Sequence, residues 1–213
     1  MRAIAVPVKS LERSKSRLAG WLSPLERGAL TLAMLEDVLD VAQATAGWEV
    51  WVISPDEAVL EVAARRRARA VVEGRPGLTA AVRQVEALAV AEGVQALAVL
   101  AADLPLLTPQ ALSAALRTLG SVVIGRSARE GTSLLLRRPP RAIPARFGED
   151  SFRRHLELAR AKGLPVSVVE RPELAFDLDL PSDILTLLAD GRRGRTREVC
   201  LGMDLGERLA AHA

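Results

Sequence analysis

Short apolar runs alternate with amphipathic helical patterns along most of this chain. The run Ala96–Ala101 contains no polar residue, which is typical of a strand buried on both faces of a parallel sheet. Alternation of this kind predicts a three-layer α/β/α fold with a mostly parallel, Rossmann-like sheet. The predicted strands are Ala3–Val8, Val50–Ser54, Arg69–Val72, Ala96–Ala101, Val122–Ile124, Leu134–Leu136, Val166–Val169 and Ala175–Asp179.

The 213 residues suit one principal domain, predicted over residues 1–190. Two helix starts are clear, because Ser23 and Thr108 are N-cap residues followed by proline, and Glu26 completes a capping box with Ser23. Residues 191–213 are predicted to be a tail with a short helix at Met203–Ala211, serving either as a free tail or as a homodimer contact.

Composition limits the class of protein. Net charge is +3 and aromatic residues make up 3%, so the stacking surfaces that single-stranded nucleic acids need are scarce. No apolar stretch reaches the length of a membrane span and the N-terminus does not resemble a signal peptide, which predicts a cytoplasmic protein. The single cysteine, Cys200, excludes an internal disulfide. We therefore expect neither nucleic-acid nor membrane partners.

A cationic loop follows the first predicted strand. Lys9, Arg13, Lys15 and Arg17 lie within nine residues, ahead of the helix that Ser23 caps. Backbone N–H groups and cationic side chains converge at such places and bind phosphates. Clustered positive charge is also common on solvated surfaces. The segment alone leaves a polyphosphate site and a surface loop as alternatives.

Two acidic motifs favour the polyphosphate interpretation. Asp103 directly follows the most buried strand, where ligands bind in open α/β sheets, although a lone aspartate there can simply cap a turn. Asp177 and Asp179 alternate with apolar residues, so a strand would direct both carboxylates to one face. We predict that Asp103 and one of Asp177 or Asp179 hold Mg²⁺. The alternative is a surface strand end at which Asp183 caps the next helix.

Hydroxyl side chains beside glycines form a further set of candidate anion ligands. Each lies near a predicted strand or helix start, where side chain and backbone together can contact an anion, though capping alone also explains Ser151. The candidates are Thr132, Ser133, Gly148 and Ser151. His155 and His212 lack a serine or cysteine partner at a recognisable spacing, so both are predicted to be structural.

These motifs, in this order, resemble the 2-phospho-L-lactate and phosphoenolpyruvate guanylyltransferases of coenzyme F-420 biosynthesis. The blocks that carry the resemblance are VPVKSLERSKSRLAGWLSPLER, ADLPLLTP, GTSLLL, FGEDSFRRHLELARAKG and FDLDLPSDI. Together they extend from Ala3 to about Leu188. The first and fourth blocks are the most specific, whereas ADLP is shared by many nucleotidyltransferases.

The resemblance implies a GT-A-like nucleotidyltransferase fold and transfer of GMP from GTP to the phosphate of a three-carbon acid. It assigns the triphosphate to Lys9, Lys15 and Arg17, with Thr79 also on the nucleotide side, and catalysis to Lys15, Arg17 and Asp103. Mg²⁺ would be held by Asp103 with Asp177 or Asp179. The acceptor would contact Thr132, Ser133, Gly148 and Ser151.

The chain departs from the family pattern at three positions. Arg126 stands where aspartate is common, and Thr79 and Ser133 stand where asparagine is frequent. Arg126 suggests either a contact with an acceptor carboxylate or a changed acceptor. The alternatives to guanylyl transfer are another nucleotidyltransferase of this fold, of the molybdenum-cofactor or sugar-phosphate type, and a nucleotide-binding regulator without turnover. The molybdenum-cofactor and sugar-phosphate enzymes usually begin with a glycine-rich L-A-G-G-x-S loop, which is absent here.

Overall fold

The computed structural model of this protein describes residues 1–211 and contains one seven-stranded sheet. The strand order is β3-β2-β1-β4-β6-β5-β7, and only β6 runs antiparallel to its neighbours. The mostly parallel sheet predicted from the alternating pattern is confirmed. The strands are β1 (Arg2–Pro7), β2 (Glu49–Ser54), β3 (Arg69–Val72), β4 (Ala96–Leu100), β5 (Val122–Arg126), β6 (Thr132–Arg137) and β7 (Val166–Val169).

Helices connect most of the strands. They are α1 (Pro24–Gln43), α2 (Glu57–Arg65), α3 (Leu78–Ala91), α4 (Pro109–Arg117), α5 (Ser151–Ala161), α6 (Pro172–Ala175), α7 (Pro181–Asp190), α8 (Arg195–Gly202) and α9 (Leu205–Ala210). The predicted caps at Ser23 and Thr108 are confirmed, since each side chain accepts a hydrogen bond from the first helical turn. Caps of this kind stabilise a helix by about 1 kcal/mol.

Helices cover both faces of the sheet, which gives the predicted three layers. Apolar residues of α1, α2 and α4 pack with Ile4 and Val6 on one face, whereas α3 packs with Trp51 and Leu97 on the other. The helix α5 packs against β5 and β6 through Ala159. Among residues 1–211, every helix is too short or too polar to cross a bilayer.

The C-terminal region forms two helices where the sequence predicted one. Helices α8 and α9 pack against α1 and α7, and Leu205 and Leu209 are buried in that cluster. Arg208 of α9 also pairs with Glu26 in the first turn of α1, and this contact lowers the pKa of Glu26 to about 2. The expected boundary at residue 190 falls between α7 and α8, and His212 lies outside the described residues.

The predicted strand Ala175–Asp179 is wrong. Pro172 begins the short helix α6, and residues 176–179 then run in an irregular segment. The alternation is real, since Leu178 is fully buried, but no strand within residues 1–211 pairs with this segment. Its backbone bond to the sheet region is from Leu178 N to the carbonyl oxygen of Asp103, at 3.1 Å.

Candidate active site

A cavity of about 930 Å³ opens along one edge of the sheet. Its walls come from the loops after β1, β2, β3 and β4, and from the start of β6, which runs antiparallel and therefore begins at the same edge. The carboxyl ends of parallel strands are the usual ligand position in such folds. The cavity therefore joins loops that are far apart in sequence at the place where a ligand is expected.

The cationic loop after β1 has a defined local structure. Two 3-10 turns, Leu11–Arg13 and Ser16–Leu18, shape it, and Lys15 between them adopts a left-handed backbone with φ of 46°. The buried Arg27 of α1 donates from Nε to the carbonyl oxygen of Ser14 at 3.2 Å. This bond ties the loop to the start of α1.

Lys15 is the centre of the site's charge network. Its side chain is 7% exposed, and Nζ donates to Asp103 Oδ2 at 2.7 Å and to Asp179 Oδ1 at 2.9 Å. Burial lowers the pKa of Lys15, but the two carboxylates outweigh burial and the net shift is upward. Arg17 adds a longer contact, 3.3 Å from Nη1 to Asp179 Oδ2, from an exposed position. Lys15 is therefore a charged ammonium held between two acids.

The two acids of the FDLDLP motif have different partners. Asp177 Oδ2 lies 3.0 Å from Arg129 Nη1, whereas Oδ1 is buried and accepts no hydrogen bond from residues 1–211. Burial and the nearby charge of Asp103 raise the pKa of Asp177. Burial also acts to raise the pKa of Asp179, but Lys15 and Arg17 reverse this and leave it lowered. Asp177 and Asp179 therefore differ both in their partners and in the direction of their pKa shifts.

Asp183 has the capping role that the sequence offered as an alternative. Its Oδ2 accepts from the backbone N–H groups of Asp179 and Leu180, at 2.8 and 2.7 Å. Arg129 also bonds to both oxygens of Asp183. Arg129 thus holds Asp177 and Asp183 together, although nothing in its Gly- and charge-rich loop predicted this role.

The three predicted metal ligands do not form a ready-made cluster. Within the described chain, no group of three or more His, Cys, Asp or Glu side chains is arranged to hold a metal ion. The ammonium of Lys15 lies against Asp103 and Asp179 instead. The charge of Asp103 acts on Asp177, and the side chain of Asp103 is 30% exposed toward solvent. Asp179 is occupied by Lys15 and Arg17, whereas Oδ1 of Asp177 has no hydrogen-bond partner within residues 1–211.

Thr132 begins β6 and lines the far end of the cavity. Its Oγ1 lies 3.0 Å from Nδ1 of the fully buried His155. Nε2 of His155 accepts from the backbone N–H of Arg146 at 2.8 Å, which assigns the proton to Nδ1. Burial, with a smaller contribution from Arg137, lowers the pKa of His155 to about 4. Neutral His155 thus donates to Thr132, whose own hydroxyl proton remains available.

The other predicted acceptor residues do not line the cavity. Ser133 points to the opposite face of β6, where Oγ donates to the carbonyl oxygen of Gly125 at 3.2 Å. Gly148 is exposed with a φ of 113°. Ser151 is buried, and its backbone N–H already donates to Gly148. The structure brings only Thr132 of this set to the cavity wall.

On the nucleotide side, Lys9, Lys15 and Arg17 line the cavity, whereas Thr79 is exposed and does not line it. The neighbouring Gly77 and Leu78 line it instead. Glu73, immediately after β3, is a lining residue that the sequence interpretation missed. The sequence could have indicated Glu73. Ligands in such folds bind beyond the carboxyl ends of the parallel strands, and Glu73 follows β3 as Asp103 follows β4.

Comparison with known proteins gives a consistent result. The family described as "Guanylyl transferase CofC like" matches residues 1–206. A phosphoenolpyruvate guanylyltransferase of Rubrobacter xylanophilus is 44% identical over 190 residues, covering 87% of this chain and 93% of that protein. A 3-phospho-D-glycerate guanylyltransferase of Phenylobacterium zucineum is 41% identical over 194 residues, covering 87% and 89%.

The fold is similar to that of a solved structure described as a putative nucleotide-diphospho-sugar transferase from Desulfovibrio desulfuricans G20. The TM-score is 0.79 at 19% identity, with 99% of this chain and 98% of the other covered. Because the sequence identity is low, this similarity supports the fold alone. The similarity confirms the predicted nucleotidyltransferase fold.

Proposed function

The chain belongs to the CofC-like guanylyl transferases, and from that premise we propose how it moves GMP from GTP to the phosphate of a three-carbon acid in coenzyme F-420 biosynthesis. An oxygen of the acceptor phosphate attacks the α-phosphorus of GTP, the bond to the β-phosphate breaks, and pyrophosphate leaves. The acceptor is phosphoenolpyruvate, the substrate named for the Rubrobacter relative.

The observation that carries this proposal is the order of groups along the cavity. The loop after β3 lies at one end, the cationic loop after β1 and the Lys15–Asp103 pair lie in the middle, and Thr132 lies at the other end. A nucleotide with its triphosphate in the middle would present the α-phosphate between the cationic loop and Thr132. The acceptor then attacks from the β6 side.

Charge neutralisation is the main catalytic task of these residues. The acceptor phosphate is already an anionic nucleophile, so the reaction needs no general base, and positioning with electrostatic stabilisation suffices. Lys9 and Arg17 have room to meet the triphosphate, since both line the cavity and Arg17 is 61% exposed. Lys15 supplies a buried positive charge beside the two acids.

Mg²⁺ is the cation that we propose for the acidic part of the site. The buried Oδ1 of Asp177, which has no partner within residues 1–211, is a hard oxygen donor that such an ion would satisfy. Asp103 and Asp177 would hold the ion, while Asp179 stays with Lys15 and Arg17. When bound, magnesium supplies positive charge for the α-phosphate and for the leaving pyrophosphate.

Thr132 is the group that we assign to the acceptor. Its hydroxyl accepts from His155 and can therefore donate to a phosphate or carboxylate oxygen of the acid. His155 is a positioning residue, because it acts through Thr132. Gly148, Ser151 and Ser133 take no part in this assignment as the structure stands.

The test is to incubate the protein with GTP and Mg²⁺ together with one acid at a time: phosphoenolpyruvate, 2-phospho-L-lactate or 3-phospho-D-glycerate. Pyrophosphate release and product mass are followed. Guanylylated phosphoenolpyruvate is expected as the fastest product. Faster turnover of 3-phospho-D-glycerate, the substrate named for the Phenylobacterium relative, would replace the acceptor, and absence of product with all three would favour the regulator.

A further inference from the structure

The loop after β3 carries an acid that no step of the guanylyl transfer uses. Glu73 directly follows β3 and lines the cavity at the opposite end from Thr132. Its Oε1 is buried and accepts no hydrogen bond from any residue between 1 and 211. A buried carboxylate oxygen without a donor costs free energy, which a ligand that brings N–H groups would recover.

The backbone on both sides of Glu73 is fixed by one side chain. Gln84 of α3 donates from Nε2 to the carbonyl oxygen of Val72 at 2.8 Å, and its Oε1 accepts from Gly74 N at 2.9 Å. Glu73 N donates to the carbonyl oxygen of Ser54 at 2.9 Å, which ties the loop to the end of β2. The acid is therefore held on a positioned backbone rather than on a free loop.

The surroundings of Glu73 suit a flat ring. Pro55, Pro76 and Leu78 line the same end of the cavity and offer apolar surface. Gly77 has open space where a side chain would begin. The strand β3 lies three positions from β4 in the sheet, a distance of about 14 Å at the usual strand spacing. A nucleotide with its phosphates near Asp103 can place its base here.

We propose that Glu73 recognises the guanine base of GTP, an inference that rests on the proposed use of GTP. Guanine presents two adjacent donors, N1–H and the 2-amino group, and a carboxylate has only acceptors, so the two match. Adenine presents a ring-nitrogen acceptor at the equivalent position, which the carboxylate repels. A site that leaves a polar group unpaired with the wrong base discriminates strongly.

The wild-type protein provides the first test. Inosine triphosphate lacks the 2-amino group, so it should be used with a kcat/KM about tenfold or more below that of GTP, the scale of one hydrogen bond to a charged group. Xanthosine triphosphate, whose base carries a carbonyl at that position, should be poorer still. Equal use of GTP and inosine triphosphate would overturn the proposal.

The second test is Glu73→Gln. The amide keeps an acceptor for N1–H and adds a donor for the xanthine carbonyl, so the variant should lose the preference for GTP over inosine triphosphate and gain use of xanthosine triphosphate. Glu61→Gln is the matched control, since Glu61 lies on the exposed face of α2 and pairs only with Arg65 among the described residues. This control should keep the wild-type preference.

Equilibrium binding of the three nucleotides without acceptor separates this inference from the proposed reaction. If wild-type protein binds GTP more tightly than inosine triphosphate but makes no product, the proposed function fails and the base recognition stands. If product forms and Glu73→Gln, folded by circular dichroism, keeps the wild-type nucleotide preference, the proposed function stands and Glu73 does not read the base.

Discussion

The two ends of the cavity are built from different kinds of interaction. The half of the cavity proposed for the nucleotide extends from the loop after β3 to the Lys15 network, and we call it the ionic end. In it Lys15 lies between Asp103 and Asp179, and Lys9 and Arg17 line the same space. The acceptor end is neutral: the backbone of Arg146 donates to His155, and His155 donates to Thr132. Electrostatic attraction of a triphosphate by cations depends little on direction. The hydrogen bond from one hydroxyl to the acceptor depends strongly on how that hydroxyl is oriented.

This contrast has a consequence for mutational sensitivity. Changes at the ionic end remove charge from a partly buried network, where electrostatic terms are large. Changes at the neutral end remove one hydrogen bond or disturb the group that orients it. Variants at the ionic end should therefore show larger defects than variants at the neutral end.

Asp103→Asn should lower kcat by about a hundredfold or more, the scale of losing one key electrostatic group. The substitution keeps side-chain volume, so the fold should remain, as judged by circular dichroism and thermal unfolding. Asp40→Asn is the control, because Asp40 is likewise ion-paired, with Arg66 and Arg195, but it does not line the cavity. Near-normal turnover of a folded Asp103→Asn protein would remove Asp103 from the reacting centre.

Asp177→Asn and Asp179→Asn test which of the two aspartates holds Mg²⁺ together with Asp103. Asp177→Asn should weaken Mg²⁺ activation more than Asp179→Asn does, because Oδ1 of Asp177, which has no partner within residues 1–211, is the proposed donor. Asp179→Asn should chiefly raise the KM for GTP, because it disturbs Lys15. Mg²⁺ titrations of both variants decide between them, and a larger magnesium defect in Asp179→Asn would reverse the assignment.

The neutral end predicts a specific dependence of stability on pH. The pKa of His155 is about 4 in the folded protein against an ordinary value of 6.5, so the unfolded chain binds the proton more tightly. Stability is therefore retained above pH 6.5 and lost as the pH falls toward 4. Between pH 7 and 5 this one group should lower the free energy of unfolding by roughly 2 kcal/mol.

Denaturant unfolding of wild type and His155→Gln at both pH values measures this effect. The other titrating groups are common to the two proteins, so the difference in their pH slopes isolates His155. Ring NMR of the wild type provides a reading that does not depend on the variant being stable. A His155 ring that titrates at pH 6 or above would contradict the neutral network.

Thr132→Ala should lower kcat/KM for the acceptor about tenfold, the value of a hydrogen bond to a charged group, with GTP binding almost unchanged. Thr132→Ser should restore most of the loss, because it keeps the hydroxyl. Ser133→Ala is the matched comparison on the opposite face of β6, and it should have little effect on acceptor use. An equal loss in both variants would support the acceptor role that the sequence predicted for Ser133.

The ionic end was the more predictable from sequence. Lys15 and Asp103 were identified because a basic loop and a lone acid each follow a predicted parallel strand, and such strand ends meet at one edge. The strands Arg69–Val72 and Val166–Val169 were also predicted to the residue. Signals that are local in the chain, such as caps and apolar runs, were sufficient for these features.

The remaining features depend on contacts between distant residues. The alternation in 175–179 indicated a strand, but a strand also needs a neighbour, and the sequence does not show whether one is present. Which of Thr132 and Ser133 lines the cavity depends on contacts with distant residues, His155 for Thr132 and Gly125 for Ser133. Glu73 lies in a loop of glycine and proline without periodicity, and its position depends on backbone hydrogen bonds with Ser54 of β2 and Gln84 of α3.

Substitution of Arg126 is expected to have the smallest effect on acceptor use. It tests directly whether the acceptor end is neutral. The sequence placed a cation here where the family commonly has aspartate, which suggested a contact with an acceptor carboxylate. In the structure, the guanidinium pairs with Glu130 and with Glu170, the latter at 3.1 Å, and it lies 4.9 Å from the ring centre of Phe152. Its charge is therefore directed to the protein surface, and it does not line the cavity.

Arg126→Ala should change the acceptor KM by about twofold or less, since exposed ion pairs contribute little and these do not involve the substrate. The measurement is acceptor kinetics at saturating GTP, with Thr132→Ala assayed in parallel as the variant that must show a defect. A loss in Arg126→Ala as large as that in Thr132→Ala would mean that Arg126 leaves its glutamate partners for the acceptor. The acceptor end would then also use charge, and the difference between the two ends of the cavity would be lost when the substrates bind.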